Sequence, residues 1–165
     1  MISIIAAVSD DWGIGYKNDL LWHIPEDLKR FRNLTIGNTV IMGKRTWESL
    51  PKRPLRERRN IVMTDIPGEI FDGAIAAYSL KDALAKSEGD PEVFIIGGGS
   101  VYHQFMSVAD RLYITHVHKT SPADVYFPAI DLLNWKIAER KECISEDVKR
   151  IPYSYVIYER NKHTN

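Results

Sequence analysis

The sequence predicts an α/β fold built on one largely parallel β-sheet with helices packed against it. Three observations predict it. Apolar runs rich in Val, Ile and Tyr recur at about residues 2–8, 39–43, 60–64, 74–78, 93–97, 111–118, 134–141 and 153–160. The first five are short and mostly continuous, as strands buried on both faces are. Helical patterns lie between them at about 25–35, 44–50, 80–86 and 100–108. Strand alternating with helix gives parallel neighbours joined by crossovers. No convincing helix separates the last three runs, so the chain is expected to end antiparallel, as a hairpin at one sheet edge.

Taken in order, Met1 to Val8 is apolar, lacks a basic start and meets Asp10-Asp11 at once. It is too short to span a bilayer and lacks the flanks of a signal peptide, so it reads as a buried strand. Ser9 to Leu21 is a long polar loop that carries Trp12-Gly13-Ile14-Gly15. Apolar side chains in that setting read as a lid able to close over a ligand, against an ordinary surface loop with a stray Trp. The helix over 25–35 opens at Pro25, which suits a first helical position. At roughly 100° per residue, Leu34, Asp27, Phe31 and Leu28 fall across one arc roughly 120° wide. Glu26, Lys29 and Arg30 point elsewhere.

Asp27 is therefore bracketed by residues that should face the core. A carboxylate there is costly without a partner, and desolvation raises its pKa. It reads either as a first-turn acid favoured by the helix dipole and turned partly to solvent, or as an acid whose partner is a ligand. Further on, Val40-Ile41-Met42-Gly43-Lys44-Arg45-Thr46-Trp47 is strand, glycine, then helix, with two cations at the join. Pro51 to Arg59 holds five basic residues and one acid. Such runs are usually solvated surface, although Leu55 in its middle hints that part of it turns inward. Val93 to Tyr102 is a strand, the three glycines Gly97, Gly98 and Gly99, and a helix start. Glycine permits close backbone approach, and a helix amino terminus suits a phosphate. The run lacks the last glycine of a GxGxxG fingerprint, and a tight structural turn is the competing reading.

Composition bounds the rest. A chain of 165 residues without a linker, repeat or low-complexity stretch is expected to form one domain over 1–165. Twenty-two basic residues balance twenty-two acidic ones, so no global field argues for nucleic acid or an anionic membrane. The one cysteine, Cys143, can form no intramolecular disulfide, which fits a reducing cytosol. It lies in a polar stretch with no nearby His, which argues against a catalytic thiol. The five histidines show no helical metal-binding spacing. His116 and His118 alternate on a strand and read as a solvated strand face, so no metal is expected. A bracketed acid, a lid, two anion-friendly turns and a basic loop together look like an enzyme joining a nucleotide cofactor to an anionic, partly aromatic substrate.

At this point the chain resembles bacterial dihydrofolate reductase, nearly end to end. The marks are Ile4-Ile5-Ala6-Ala7, Ile14-Gly15, Trp22-His23-Ile24-Pro25-Glu26-Asp27-Leu28, Val40-Ile41-Met42-Gly43, Thr46-Trp47-Glu48-Ser49, Arg58-Arg59-Asn60, Ile96-Gly97-Gly98-Gly99, Leu112-Tyr113-Ile114-Thr115 and Asp124 to Phe127-Pro128. Their order and spacing carry the resemblance. It implies a central eight-stranded, mostly parallel sheet with four helices, and reduction of 7,8-dihydrofolate to tetrahydrofolate by hydride from NADPH. By resemblance Asp27 binds N3 and the 2-amino group of the pterin and promotes protonation at N5 while hydride reaches C6. Thr115 braces Asp27, and Trp22 holds an ordered water. Ile5, Ala6, Ala7, Leu28, Phe31, Leu50 and Leu55 wall the pocket, joined by Ile96 and Tyr102. Arg58 pairs with the glutamate α-carboxylate.

On the cofactor side the resemblance gives Gly97, Gly98, Gly99, Ser100 and Val101 to the pyrophosphate, with a cis peptide between the two leading glycines. Ile96 and Tyr102 flank that turn. Gly43, Lys44, Arg45 and Thr46 take the adenosine side, with Met63, Thr64 and Asp65 beside it. Ala7, Ile14, Gly15 and Leu20 contact the nicotinamide and its ribose, and Leu20 serves catalysis from the lid. Asp124 steadies the closed lid. The same resemblance implies a cytoplasmic monomer of one-carbon metabolism and an antifolate target.

Departures from the family pattern are Leu21 for proline, Leu20 for methionine, Arg56-Glu57 for Pro-Gly, and one residue added near Pro51. Asp65 falls near the expected 2′-phosphate site, so NADPH preference is expected to survive through Lys44 and Arg45 with less margin. An alternative is a reductase of another pterin-like or aminopyrimidine substrate, against which Asp27 and Arg58 argue. A non-catalytic nucleotide- or RNA-binding module is opposed by the neutral charge and the retained acid.

Overall fold

The continuous apolar runs satisfy their backbone groups only by pairing, and their two apolar faces only by cover on both sides. The computed structural model describes residues 1–162, so the last three residues of the expected 1–165 domain lie outside the described residues. In chain order its elements are β1 (Ile2–Val8), β2 (Gly13–Tyr16), β3 (Asp19–Leu20), α1 (Pro25–Thr35), β4 (Thr39–Gly43), α2 (Lys44–Ser49) and β5 (Arg59–Met63). There follow β6 (Ile75–Ala77), α3 (Leu80–Lys86), β7 (Val93–Gly97), α4 (Gly99–Phe105), β8 (Arg111–Val117), β9 (Val125–Tyr126), β10 (Trp135–Ile144) and β11 (Pro152–Arg160).

Eight strands form one sheet in the order β10–β11–β8–β1–β7–β4–β5–β6. All neighbours from β8 to β6 are parallel, while β11 runs antiparallel to both β8 and β10. The expected terminal hairpin is present, and its second strand is the one that joins the sheet. Adjacent residues feed opposite layers: Ile4, Ile41, Ile61 and Ile95 pack on one face, and Ile5, Val40, Met42, Val62 and Phe94 on the other. That two-sided burial is why these runs read as continuous.

Two features depart from the sequence reading. The segment Ser9 to Leu21 is not a bare loop, because β2 and β3 form a hairpin within it and β2 pairs with the distant β9. The arc on α1 does not enter the core either. Thr35 is the one buried residue of the helix, and Leu28 is 45% exposed. Its apolar side lines a cleft beside the sheet, with Phe31 and Leu34 packed against the second layer.

Candidate active site

The cleft lies along α1, where β1, β8 and β7 end. Pro25 sits at the first helical position, and Ile24 before it is buried among Val117, Ile151 and Tyr153. This pins the first turn of α1 beside β8. Thr115 stands on β8 in register with Ala7 of β1 and Tyr155 of β11. Its buried hydroxyl donates to Asp27 Oδ1 at 2.6 Å. Burial pushes the Asp27 carboxyl up, the Thr115 hydrogen bond and the Arg30 charge pull it down, and Glu26 pushes it up again. Burial is the largest influence, so the net direction is upward.

The helical arc held no cation, yet Arg30 on its flank does act on Asp27 while its guanidinium lies 4.0 Å from the centre of the Tyr155 ring. Neither residue stood out in the sequence, because their pairing depends on β11 lying beside β8. Trp22 packs in the Ile24 cluster, and its buried indole Nε1 has no hydrogen-bond partner among the described residues. A buried donor in that position fits a bridging water. Tyr102 is buried and gives its hydroxyl to the Ile5 carbonyl at 2.8 Å. It therefore presents a ring as a wall, and burial pushes its phenol well above the usual range.

Ile5, Phe31, Leu50, Leu55 and Ile96 belong to one apolar cluster, and buried Ala6 faces the other layer from the same strand. Leu55 is held by a backbone exchange with Asn60, whose Oδ1 accepts from Leu55 N and whose Nδ2 donates to Leu55 O. This turns part of the basic loop inward. Arg58 follows it: Nη1 donates to Thr35 Oγ1 at 3.2 Å, and its guanidinium lies 6.0 Å from the Phe31 ring. A planar cation thus stands at the far end of the helix face that begins with Asp27.

The two glycine turns are neighbours. β4 and β7 pair in parallel, with Met42 opposite Gly97, so Gly43 and Gly97–Gly98 lie side by side. The Gly97–Gly98 peptide is cis, as the resemblance implies, and Gly97 has φ +134. A Cβ on Gly98 would meet only Thr46 Oγ1 at 3.5 Å, so the backbone there stays open to a ligand. A Cβ on Gly43 would come within 3.0 Å of Val101, which locks the turns together. Buried Val101 holds the start of α4, and Ser100 is exposed beside it. An open backbone turn next to hydroxyl and cationic side chains fits a dinucleotide.

The hairpin of β2 and β3 covers one end of the cleft. Ile14 is buried, Gly15 pairs with Leu20 and with Val125, and Lys17 N donates to Asp124 Oδ2 at 3.0 Å. Asp124 N donates to Gly15 O, and Phe127 N to Trp12 O. Asp124 thus ties the Ser9–Leu21 segment to the loop before β9. Leu20 is 56% exposed, so the structure does not bring it to the site in this arrangement.

The cations at the second turn are also not as expected. Arg45 is exposed, but Lys44 is engaged by Glu69 at 2.6 Å. Met63 is half-buried and Asp65 exposed, and the acid that actually pairs in this corner, Glu69, was missed. The signal was an acid directly after the Pro67-Gly68 turn, which folds it back toward Thr64. The histidines differ too. His116 Nε2 lies 2.8 Å from the Tyr158 hydroxyl and His118 Nε2 2.6 Å from Ser154 Oγ; both are partly exposed, with protein partners on β11. Among the described residues no cluster of His, Cys, Asp and Glu is arranged to hold a metal ion, and no helix is long and apolar enough to cross a membrane.

Known proteins share this arrangement. A chain from Bacillus subtilis strain 168 named dihydrofolate reductase is 40% identical over 160 residues, covering 97% of this chain and 95% of its own. A dihydrofolate reductase of Neisseria meningitidis serogroup A is 45% identical over 159 residues, covering 96% and 98%. The solved structure of an Enterococcus faecalis dihydrofolate reductase complexed with NADP(H) and RAB-propyl superimposes with a TM-score of 0.91 at 33% identity, covering 98% of this chain and 97% of that one. The sequence model of the family described as dihydrofolate reductase matches residues 1–160. With an acid braced by a β-strand threonine beside two adjoining glycine turns, and relatives alike along nearly their whole length, this chain belongs to the dihydrofolate reductase family.

Proposed function

We infer that this chain reduces 7,8-dihydrofolate to 5,6,7,8-tetrahydrofolate with NADPH. The observation that carries the reading is the Asp27–Thr115 pair, a carboxylate in a cleft otherwise walled by apolar side chains. One carboxylate oxygen accepts from Thr115, and the carboxylate still offers acceptor capacity to the paired N–H groups of a pterin N3 and 2-amino group. Burial raises its pKa, which favours the protonated form and so the supply of a proton that N5 needs. Trp22 Nε1 is placed to order a water on that route. Ile5, Ala6, Leu28, Phe31, Leu50, Leu55, Ile96 and Tyr102 confine the ring system and exclude other water. Arg58 takes the α-carboxylate of the glutamate tail, where a fork of donors outdoes an ammonium.

Bound NADPH supplies the hydride. Ala7, Ile14, Gly15 and Leu20 border the nicotinamide end, with Leu20 reaching it as the lid moves. Gly97, Gly98, Gly99, Ser100, Val101 and Thr46 hold the pyrophosphate, and Gly43, Lys44, Arg45, Met63, Thr64 and Asp65 the adenosine ribose. The active unit is one domain, a cytoplasmic monomer without nucleic-acid or membrane partners.

The test follows NADPH absorbance with dihydrofolate, using wild type and Asp27→Asn together. Rapid oxidation by wild type and a loss of about 10²–10⁴-fold in the variant are expected from removal of a general acid. Retained NADPH affinity would show that the variant is folded. Turnover within a factor of a few of wild type would remove Asp27 from the proton supply.

A further inference from the structure

The adenosine corner contains an anion of the protein's own. Lys44 and Thr64 both belong to the proposed ribose side, and one carboxylate engages both. Glu69 Oε1 lies 2.6 Å from Lys44 Nζ, and Oε2 accepts from Thr64 Oγ1 at 2.7 Å. The turn that presents it is tightly drawn. Gly68 has φ +77, Glu69 N donates to Ile66 O, and Ile66 N donates to Thr64 Oγ1. The Glu69 side chain is only 18% exposed, against 38% for Lys44. This is a positioned carboxylate rather than a loose surface pair. Asp65 adds negative charge nearby and Arg45 is the remaining exposed cation.

A carboxylate that bridges an ammonium and a hydroxyl makes the contacts that a ribose phosphate would make. A phosphate monoester cannot share them with it, because like charges that close repel strongly. We propose that Glu69 is a built-in competitor of the cofactor 2′-phosphate and sets the preference between phosphorylated and unphosphorylated nicotinamide cofactors. For NADPH, Glu69 leaves Lys44 and Thr64. For NADH it stays and accepts from the free ribose 2′-hydroxyl, the role that a carboxylate plays in NAD sites of other folds. The proposal rests on the NADPH-dependent reading above.

The experiment is equilibrium binding of 2′,5′-ADP and 5′-AMP, by calorimetry, to the full chain and to Glu69→Gln. Thermal melting verifies that the variant is folded. Glu69→Gln should tighten 2′,5′-ADP by about tenfold or more, as expected for removing one charged competitor, and weaken 5′-AMP by about threefold or more, because its 2′-hydroxyl loses a charged acceptor. In a Lys44→Met background the same substitution should gain less than about twofold, because the contested cation is gone. An equal gain for both nucleotides, or no gain for either, overturns the role of Glu69 and leaves the nucleotide site standing. Failure of both nucleotides to bind any version overturns the proposal together with the cofactor site beneath it.

Discussion

Thr115→Val isolates the hydrogen bond that holds the Asp27 carboxyl down. The swap keeps the volume and the β-branch and removes one oxygen. That oxygen is buried and donates at 2.6 Å, the length of a charge-assisted O–H···O⁻ bond. Bonds to ionised groups are worth about 1.5–3 kcal/mol net. The protonated acid keeps part of the interaction, so the differential effect lies near the lower end. About 1.4 kcal/mol is a tenfold change in the ionisation equilibrium. Burial already raises Asp27, so the valine variant should ionise still less readily. Because the folded acid is raised, its protonated form favours folding, and stability declines as pH rises from the unfolded value of 3.8 through the folded one. The variant should therefore lie closest to wild type in acid and fall about 1.5 kcal/mol further below it at neutral pH. Single-turnover hydride transfer followed across pH should show its alkaline decline displaced upward, by about tenfold in proton concentration. A decline left in place, or displaced to lower pH, would refute the brace.

Other perturbations separate the remaining parts of the site. Arg58→Leu should weaken folates that carry the glutamate tail by about 10–100-fold, from loss of a charged fork, and spare pterins without it; equal losses measured in KM for both would point to misfolding. Asp124→Leu removes the acceptor of Lys17 N, worth about 1 kcal/mol at such an exposed bond. Proteolysis within 9–21 should speed up and single-turnover rates fall a few-fold, and no change in either would free Asp124 of a lid role. His116 is pushed down to about 4 from 6.5, first by burial and then by Arg140 and His118. The fold thus binds its neutral form, and stability should be lost as pH falls from 6.5 toward 4, by about 1–2 kcal/mol after solvent screening of the partly exposed ring. Urea midpoints at pH 7 and pH 4.5 should converge less for wild type than for His116→Gln; an identical acid loss in both would remove His116 as the cause.

What was legible in the sequence follows from how local each signal is. The helix over 25–35 and the strands over 2–8, 39–43 and 93–97 keep the bounds read from periodicity, because Pro25 and the glycines punctuate them locally. β2, β3 and β9 did not show. They are two to four residues long, and what holds them is a pairing between Gly15 and Val125 across more than a hundred residues. Nothing in a window around Gly15 records that partner. β10 was read short at its C-terminal end, since after Trp135 its residues are nearly all exposed and more than half of them charged, as suits an edge strand. Within the site, Asp27 and the glycine turns stood out from residue type and local pattern, whereas Thr115 and Arg58 were singled out only through the family resemblance. Glu69 and Arg30 were missed, because each matters through a neighbour that only the tertiary fold supplies.

The same distinction explains why Asp27 is tolerable where it stands. On a helix alone, an acid between Leu34 and Phe31 is a defect. Beside β8 it is an acid with one fixed donor, one flanking cation and a wall of rings. The sheet order creates this, because the parallel pairing of β1 with β8 and of β7 with β4 ends four strands along one edge. Thr115 then meets the first turn of α1 at one point, and the glycine turns of β4 and β7 open at the next. Acid and glycine turns are therefore neighbours by topology, with Ile5 linking them through the Tyr102 hydroxyl. Moving the acid away from the glycine turns would require a different strand order, not a different side chain.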